Sequence, residues 1–206
     1  MKLRTIAIVL TVALASAAAY AQSGVYLTFN AQMWTQEGVN TYVTNPGSQN
    51  IDRPWLLGPG YGVYYDVTRL PYLGKLKTGP VVFGIDARGE TLRDRMNYGG
   101  FNEENGIFSL RVATKGPVKG YTPYITGGFG IGHTRVPGRL SYANNFIYQF
   151  GAGVDTKLCK KVDWRVAEIT VGALANYPTG YYPIGVGPNQ SNYQITLGTG
   201  LVFRIR

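Results

Sequence analysis

The sequence predicts an all-β fold, a transmembrane barrel of about eight antiparallel strands in up-and-down order. Three observations lead to this prediction. Eight segments alternate between apolar positions and polar or glycine positions with a period of two. The connections between these segments are longer on one side and shorter on the other. A segment typical of an export signal precedes the first of them.

The beginning of the chain has the parts of a secretory signal peptide. Lys2 and Arg4 supply a positive start, an apolar stretch follows, and Ala21 closes the small-residue motif AYA that a signal peptidase reads. The apolar stretch is shorter than the roughly 20 residues of a spanning helix, which disfavours a retained membrane anchor. No Cys stands near the predicted cleavage site, so a lipoprotein is not expected. We predict a signal peptide at 1–21 and one barrel domain at 22–206.

The composition suits strands and disfavours nucleic-acid binding. The chain has 28 Gly and 16 Tyr, and only 15% of its residues are charged, which favours strands over helices. The formal net charge of +9 falls by two, to +7, when Lys2 and Arg4 leave with the signal peptide. The basic residues form no single stripe and the chain is predicted to be exported, so no nucleic-acid partner is expected.

The eight alternating segments follow one another along the whole predicted mature chain. Their ranges are 25–34, 58–67, 81–90, 106–114, 124–132, 145–156, 164–174 and 193–206. In the last segment, Tyr193, Leu201 and Phe203 lie on the apolar face, which only Thr199 interrupts. This segment is longer than the about 5–6 residues usual for a soluble strand.

The connections between the segments indicate how the barrel is oriented. The longer ones, rich in Asn, Gly, Pro and Tyr, are 35–56, 92–104, 135–143 and 175–191. The shorter ones are 69–77, 116–120 and 158–162. Long extracellular loops and short periplasmic turns are the layout of a bacterial outer-membrane barrel. Both termini are then expected on the periplasmic side.

The polar face of the segments carries charged residues that we predict to form a network in the barrel lumen. Its members are Asp86, Arg88, Glu90, Arg111, Asp155, Glu168 and Arg204. Buried charges need partners, so this many charges disfavour a soluble, lipocalin-like barrel with an apolar interior. Eight strands enclose an interior that side chains can fill, and glycines make room for them there. Paired charges would plug the lumen, whereas separated charges would line a narrow pore; we favour the plug.

Two further sets of residues are predicted to lie at the ends of the strands. Every lysine of the predicted mature chain falls at or beside a short turn, where it would reach the membrane surface. An alternative is a basic ring that contacts an anionic periplasmic partner such as peptidoglycan. The lysines are Lys75, Lys77, Lys115, Lys119, Lys157, Lys160 and Lys161. Aromatic residues near strand ends are predicted to form interfacial girdles; they include Tyr26, Tyr65, Tyr121, Trp164, Tyr193 and Phe203.

Three stretches of sequence resemble the OmpA-type, porin-like eight-stranded barrels of the outer membrane. They are YTPYITGGFGIG, IYQFGAGVDTKL followed by DWRV, and the closing LGTGLVFRIR. The resemblance covers nearly all of the predicted mature chain. It implies an outer-membrane location, contact with membrane lipids and lipopolysaccharide, and insertion by the barrel assembly machinery, which reads the last strand with Tyr193, Leu201 and Phe203. Family members often end on an aromatic residue, whereas Arg204, Ile205 and Arg206 follow Phe203 here.

Catalytic, cofactor and metal sites are not expected. The single His133 points toward lipid by parity and could face Ser141 across a hairpin, but the His-x-Ser pattern of lipid A deacylases is missing. One His and one Cys are too few for a metal cluster. Cys159 is interpreted as an incidental turn residue, and the acidic segment 102–105 as a solvated loop. The motif GFGIG lacks the full dinucleotide-binding pattern and opens no helix.

The sequence therefore favours a monomeric outer-membrane barrel with a structural, envelope-integrity or surface-interaction role. A surface partner would bind through the loops 35–56 and 175–191. A narrow pore for ions or small solutes is the alternative, and a lipid-modifying enzyme is a remote one.

Overall fold

The computed structural model describes residues 23–34, 55–70, 81–94, 102–114, 120–135, 142–175 and 191–205. These residues form eight strands. In chain order they are β1 (Ser23–Trp34), β2 (Trp55–Leu70), β3 (Val81–Asp94), β4 (Asn102–Thr114), β5 (Tyr121–Arg135), β6 (Tyr142–Lys157), β7 (Val162–Ala175) and β8 (Ser191–Ile205). The predicted signal peptide and most of the predicted loop residues lie outside the described ranges.

Each strand pairs antiparallel with its neighbours in the chain, and β1 closes the barrel by pairing with β8. The closing register places Ser23 opposite Ile205 and Trp34 opposite Gln194. Because the sheet is closed, each strand has a partner on both sides and the barrel has no free edge. The predicted all-β, up-and-down barrel is confirmed. No helix in the described part of the chain is long and apolar enough to cross a membrane.

The two ends of the barrel carry different connections. The end that we call the turn end holds Ser23, Ile205 and the connections 71–80, 115–120 and 158–161. The opposite end, which we call the loop end, holds the connections 35–54, 95–101, 136–141 and 176–190. The two longest connections between described strands therefore both leave from the loop end.

The strands reach further toward the loop end than the sequence pattern predicted. Strand β4 begins at Asn102, inside the predicted loop 92–104. The interpretation of the acidic segment 102–105 as a solvated loop is therefore wrong. Glu103 belongs to β4 and is fully buried in the lumen, where side-chain donors satisfy its carboxylate and make burial possible.

Alternation along the strands places apolar side chains on the outer surface and polar ones in the lumen. Leu110 is 66% exposed on the outside, whereas the next residue, Arg111, is only 3% exposed inside the barrel. Ile85 and Asp86 repeat this contrast on β3. A soluble barrel has the opposite arrangement, so the pattern is that of a barrel whose outer face meets lipid.

Strand β7 contains a β-bulge between Arg165 and Glu168, which interrupts the period of two. Arg165 points into the lumen, Ala167 points outward, and Glu168 points inward again. The extra residue increases the local twist and bends the strand. Its consequence is that Arg165 and Glu168, three positions apart, share the interior.

Replacing Gly130 with Ala is expected to destabilise the barrel. A Cβ at Gly130 would lie 1.9 Å from the backbone oxygen of Gly106, so β4 and β5 would have to move apart. Overpacking of this kind costs about 1–3 kcal/mol of unfolding free energy. Gly106→Ala is the matched control, because a Cβ there meets nothing within 4 Å. Urea unfolding in detergent micelles measures both variants, and equal midpoints would contradict the prediction.

Candidate functional site

Three arginines and three tyrosines stack alternately across the lumen and form what we call the arginine–tyrosine column. In order they are Tyr64, Arg111, Tyr124, Arg165, Tyr26 and Arg88. The guanidinium carbon of Arg111 lies 4.3 Å from the ring centre of Tyr64 and 4.6 Å from that of Tyr124. That of Arg165 lies 4.9 Å from Tyr124 and 4.2 Å from Tyr26. Cations this close to aromatic faces are attracted by about 2 kcal/mol or more when water is excluded.

The end of the column nearest Tyr64 is neutralised by two aspartates. Arg111 Nη1 lies 3.3 Å from Asp66 Oδ1, and Arg111 Nη2 lies 3.3 Å from Asp155 Oδ2. The other oxygen of Asp155 lies 3.1 Å from Arg165 Nε. Asp155 therefore bridges two guanidinium groups that both lie against the Tyr124 ring.

The other end of the column converges on Glu168. Its carboxylate accepts hydrogen bonds from Arg88 and from the hydroxyl of Tyr124, and its Oε2 lies 2.9 Å from Arg165 Nη1. Asp86 lies 3.2 Å from Arg88 Nε and accepts a 2.9 Å hydrogen bond from the Tyr26 hydroxyl. Three guanidinium groups thus face four carboxylates.

Burial makes this network sensitive to the loss of any one member. The side chain of Arg165 is only 1% exposed, and those of its partners Asp155 and Glu168 are almost as inaccessible. Replacing a whole buried ion pair by apolar groups is often neutral, but removing one partner leaves an uncompensated charge. The network therefore constrains which arrangement of strands can form.

A second polar layer lies nearer the loop end and is centred on Glu103. Its carboxylate accepts hydrogen bonds from Gln32 Nε2 at 2.8 Å, Trp34 Nε1 at 3.0 Å and Asn105 Nδ2 at 2.7 Å. Gln32 Nε2 also donates to Gln194 Oε1 at 2.9 Å. This layer joins β1, β4 and β8 across the interior.

Apolar side chains, which were not predicted there, also fill part of the lumen. They form one buried cluster made of Trp34, Leu56, Leu92, Ile107, Ile147 and Leu174. Each lies an even number of positions from a polar lumen residue of its own strand. Strict alternation along the strand could therefore have predicted that it faces the lumen. They occupy the part of the interior nearer the loop end, which they share with the Glu103 layer, and Trp34 belongs to both.

Five of the seven residues predicted to form the lumen network lie together in it: Asp86, Arg88, Arg111, Asp155 and Glu168. Glu90 is buried in the same lumen and accepts a 3.2 Å hydrogen bond from Asn30 Nδ2. Arg204 lies apart, near the turn end, where its Nη2 is 2.5 Å from Asp163. A small cavity of about 10 Å³ lies between Arg88, Glu90 and Glu168, which is room for about one water molecule.

Several members of the network were not predicted from the sequence, for identifiable reasons. Arg165 was missed because strict alternation back from Ala167 would place it outside, and only the bulge turns it inward. Asp66 was in phase with the interior but was not singled out. Tyr26 was predicted to belong to an interfacial girdle; this is wrong, because its ring is 2% exposed and its hydroxyl binds Asp86.

The other predicted girdle residues lie on the outer surface. Tyr121, Trp164, Tyr193 and Phe203 are exposed there, and Tyr65 is half-buried. Tyr193, Leu201 and Phe203, the residues predicted to mark the last strand for insertion, all face outward on β8.

The side chains considered for chemistry do not assemble into a reactive group within the described residues. His133 Nδ1 lies 2.6 Å from Asn144 Oδ1, and Ser141 lies outside the described ranges. Cys159 is exposed in the β6–β7 connection. Among the described residues, no three His, Cys, Asp or Glu side chains are placed to hold a metal ion.

Solved structures share this fold, although the sequence matches no protein-family model and no curated protein. Neisserial surface protein A aligns with a TM-score of 0.58 at 9% identity, over 89% of this chain and 97% of that one. Ail, the attachment invasion locus protein of Yersinia pestis, aligns with a TM-score of 0.50 at 9% identity, over 90% of this chain and 99% of that one. The likeness is one of fold, and it agrees with the predicted eight-stranded, up-and-down β-barrel.

Replacing Arg111 with Ala is expected to destabilise the folded barrel. The variant removes the guanidinium group that pairs with both Asp66 and Asp155 in the buried lumen, which costs about 3–5 kcal/mol of unfolding free energy. Arg204→Ala is the comparison, because Arg204 lies outside the column and is partly exposed, so its loss should cost less. Urea unfolding in lipid vesicles measures both. If the Arg111→Ala barrel were as stable as the wild type, the ion pairs of Arg111 would not contribute to the stability of the barrel.

Proposed function

We propose that this protein is a non-enzymatic outer-membrane barrel with a sealed lumen, which holds its loop-end connections at the cell surface. Its role is then structural, in envelope integrity, or in contact with other surfaces. The observation that carries the proposal is the arginine–tyrosine column, whose members come from six of the eight strands and meet inside the lumen.

The electrostatics of the column favour a plug over a pore. A pore needs charged groups that stay hydrated and free to meet passing ions. Here Arg88, Arg111 and Arg165 are each paired with carboxylates and lie against aromatic rings. Nearer the loop end, the apolar cluster and the hydrogen-bonded Glu103 layer add a second obstacle, because their side chains are packed together or already hydrogen-bonded to one another.

The outer surface supports placement in a membrane. Large apolar side chains such as Leu110, Phe129 and Phe150 are well exposed on it, and the closed sheet leaves no backbone edge for lipid to meet. We propose export through the signal peptide at 1–21 and insertion of a monomer by the barrel assembly machinery, with the turn end in the periplasm. Lipopolysaccharide would surround the loop-end half.

The loop-end connections are the part of the chain proposed to meet a partner. The longest are 35–54 and 176–190, within the loops predicted from the sequence. Two proteins of the same fold are described as a surface protein and an attachment protein, which supports a surface role for this chain.

The refolded mature protein is expected to be electrically silent in a planar lipid bilayer. The physical reason is that the column and the apolar cluster leave ions no hydrated path. Single-channel recording measures this, with a known porin as the positive control and a gel-mobility assay to show that the silent protein is folded. Stable, charge-selective current steps would overturn the sealed-lumen proposal and establish the pore.

Shortening the loop-end connections is expected to abolish surface binding without unfolding the barrel. Residues 36–53 and 176–190 are each replaced by a tight turn, and cells that display the protein are tested against purified lipopolysaccharide and cultured epithelial cells. The matched control replaces the turn-end connection 71–80, which should leave binding unchanged. Binding that survives loss of both loop-end connections would contradict the proposed surface role.

A further inference from the structure

The outer surface carries a groove where β7, β8 and β1 meet. Its volume is about 390 Å³, within the about 300–1,000 Å³ range of small-molecule sites. Its lining is almost entirely apolar and consists of Leu27, Thr28, Phe29, Trp164, Thr199, Gly200, Leu201 and Phe203. Such a surface suits a hydrocarbon chain.

The floor of the groove is formed by Gly200. A Cβ at this position would lie 2.0 Å from the carbonyl oxygen of Leu27, so the absence of a side chain lets β8 and β1 approach closely. The large side chains of Leu201 and Phe203 rise beside this floor on β8.

One wall of the groove is held in place by hydrogen bonds. The indole Nε1 of Trp164 donates to Thr199 Oγ1 at 3.2 Å, and Thr199 Oγ1 donates to the carbonyl oxygen of Arg165 at 2.9 Å. Thr199 is the residue that interrupts the apolar face of β8. Its hydroxyl thus fixes the Trp164 ring at the edge of the groove.

Basic side chains lie directly beyond the groove at the turn end. Lys160 and Lys161 are exposed in the β6–β7 connection. The backbone N–H of Arg204 donates to the carbonyl oxygen of Lys161 at 2.8 Å, which ties this connection to the residue after Phe203. Arg204 itself is paired with Asp163. Within the described part of the chain, Lys160 and Lys161 have no carboxylate within ion-pair distance.

We propose that this part of the outer surface binds an anionic phospholipid of the periplasmic leaflet, with one acyl chain in the groove and the phosphate beside Lys160 and Lys161. The inference rests on the proposed membrane placement. A bound phospholipid would explain both the apolar groove and the adjoining positive charge. Contact with peptidoglycan would involve only the lysines and would not explain the groove. Lys157, at the end of β6, adds positive charge at the same rim.

The experiment uses tryptophan fluorescence in bilayers of phosphatidylcholine that contain a minor fraction of lipid with brominated acyl chains. A Trp55→Phe variant keeps Trp34 and Trp164. Because Trp34 is buried in the lumen, Trp164 is then the indole that faces lipid, and its fluorescence reports contact with the brominated chains. Brominated phosphatidylglycerol is expected to quench this fluorescence more strongly than brominated phosphatidylcholine at the same fraction. The preference should be lost when Lys157, Lys160 and Lys161 are all changed to Gln.

The matched control is Trp164→Phe with Trp55 retained, because Trp55 faces outward at the opposite end of the barrel. It should be quenched equally by the two brominated lipids. Equal quenching at Trp164 would overturn the lipid site and leave the membrane barrel intact. Absence of quenching at both tryptophans would show that the barrel is not embedded, and would overturn the membrane placement as well as the site.

Discussion

The barrel depends on neutralising three guanidinium groups inside a lumen that is only wide enough for side chains. Arg88, Arg111 and Arg165 find carboxylates within this space, and tyrosine rings cover the faces of their planar groups. The partners come from every strand from β1 to β7. The pairs of Arg111 with Asp66 and Asp155, and of Arg88 with Glu168, join strands that are not neighbours, so they need the closed sheet. The pairs Arg88–Asp86 and Arg165–Glu168 lie within single strands.

The bulge in β7 connects the interior of the barrel with its outer surface. Inside, it brings Arg165 and Glu168 to the same face, where they pair. Outside, the Arg165 carbonyl accepts a hydrogen bond from Thr199, whose hydroxyl in turn positions Trp164. A backbone acceptor left unpaired against lipid would cost several kcal/mol, about the magnitude for any unsatisfied group in hydrocarbon. One extra residue thus shapes both the charge network and the groove.

The two ends of the lumen differ in chemistry. This difference favours a barrel that supports its surface connections over a barrel that conducts solutes. One part is ionically paired around the arginine–tyrosine column, while the part nearer the loop end holds apolar side chains around Leu92 and Ile147 together with the hydrogen-bonded Glu103 layer. This packing is the basis of the proposed sealed lumen. Under that proposal, a partner is bound by the loop-end connections, which a rigid barrel can support without a change in its own packing.

The amino-acid sequence by itself determined the eight strands, which face of each meets lipid, and most of the charged residues in the lumen. It could do so because lipid outside and a polar interior impose a period of two that is visible without any contact map. It did not determine the place of Arg165 or of Tyr26, nor which charge pairs with which. Those were decided by tertiary structure, since a bulge shifts the phase of one strand and a closed barrel brings together residues on strands far apart in the chain.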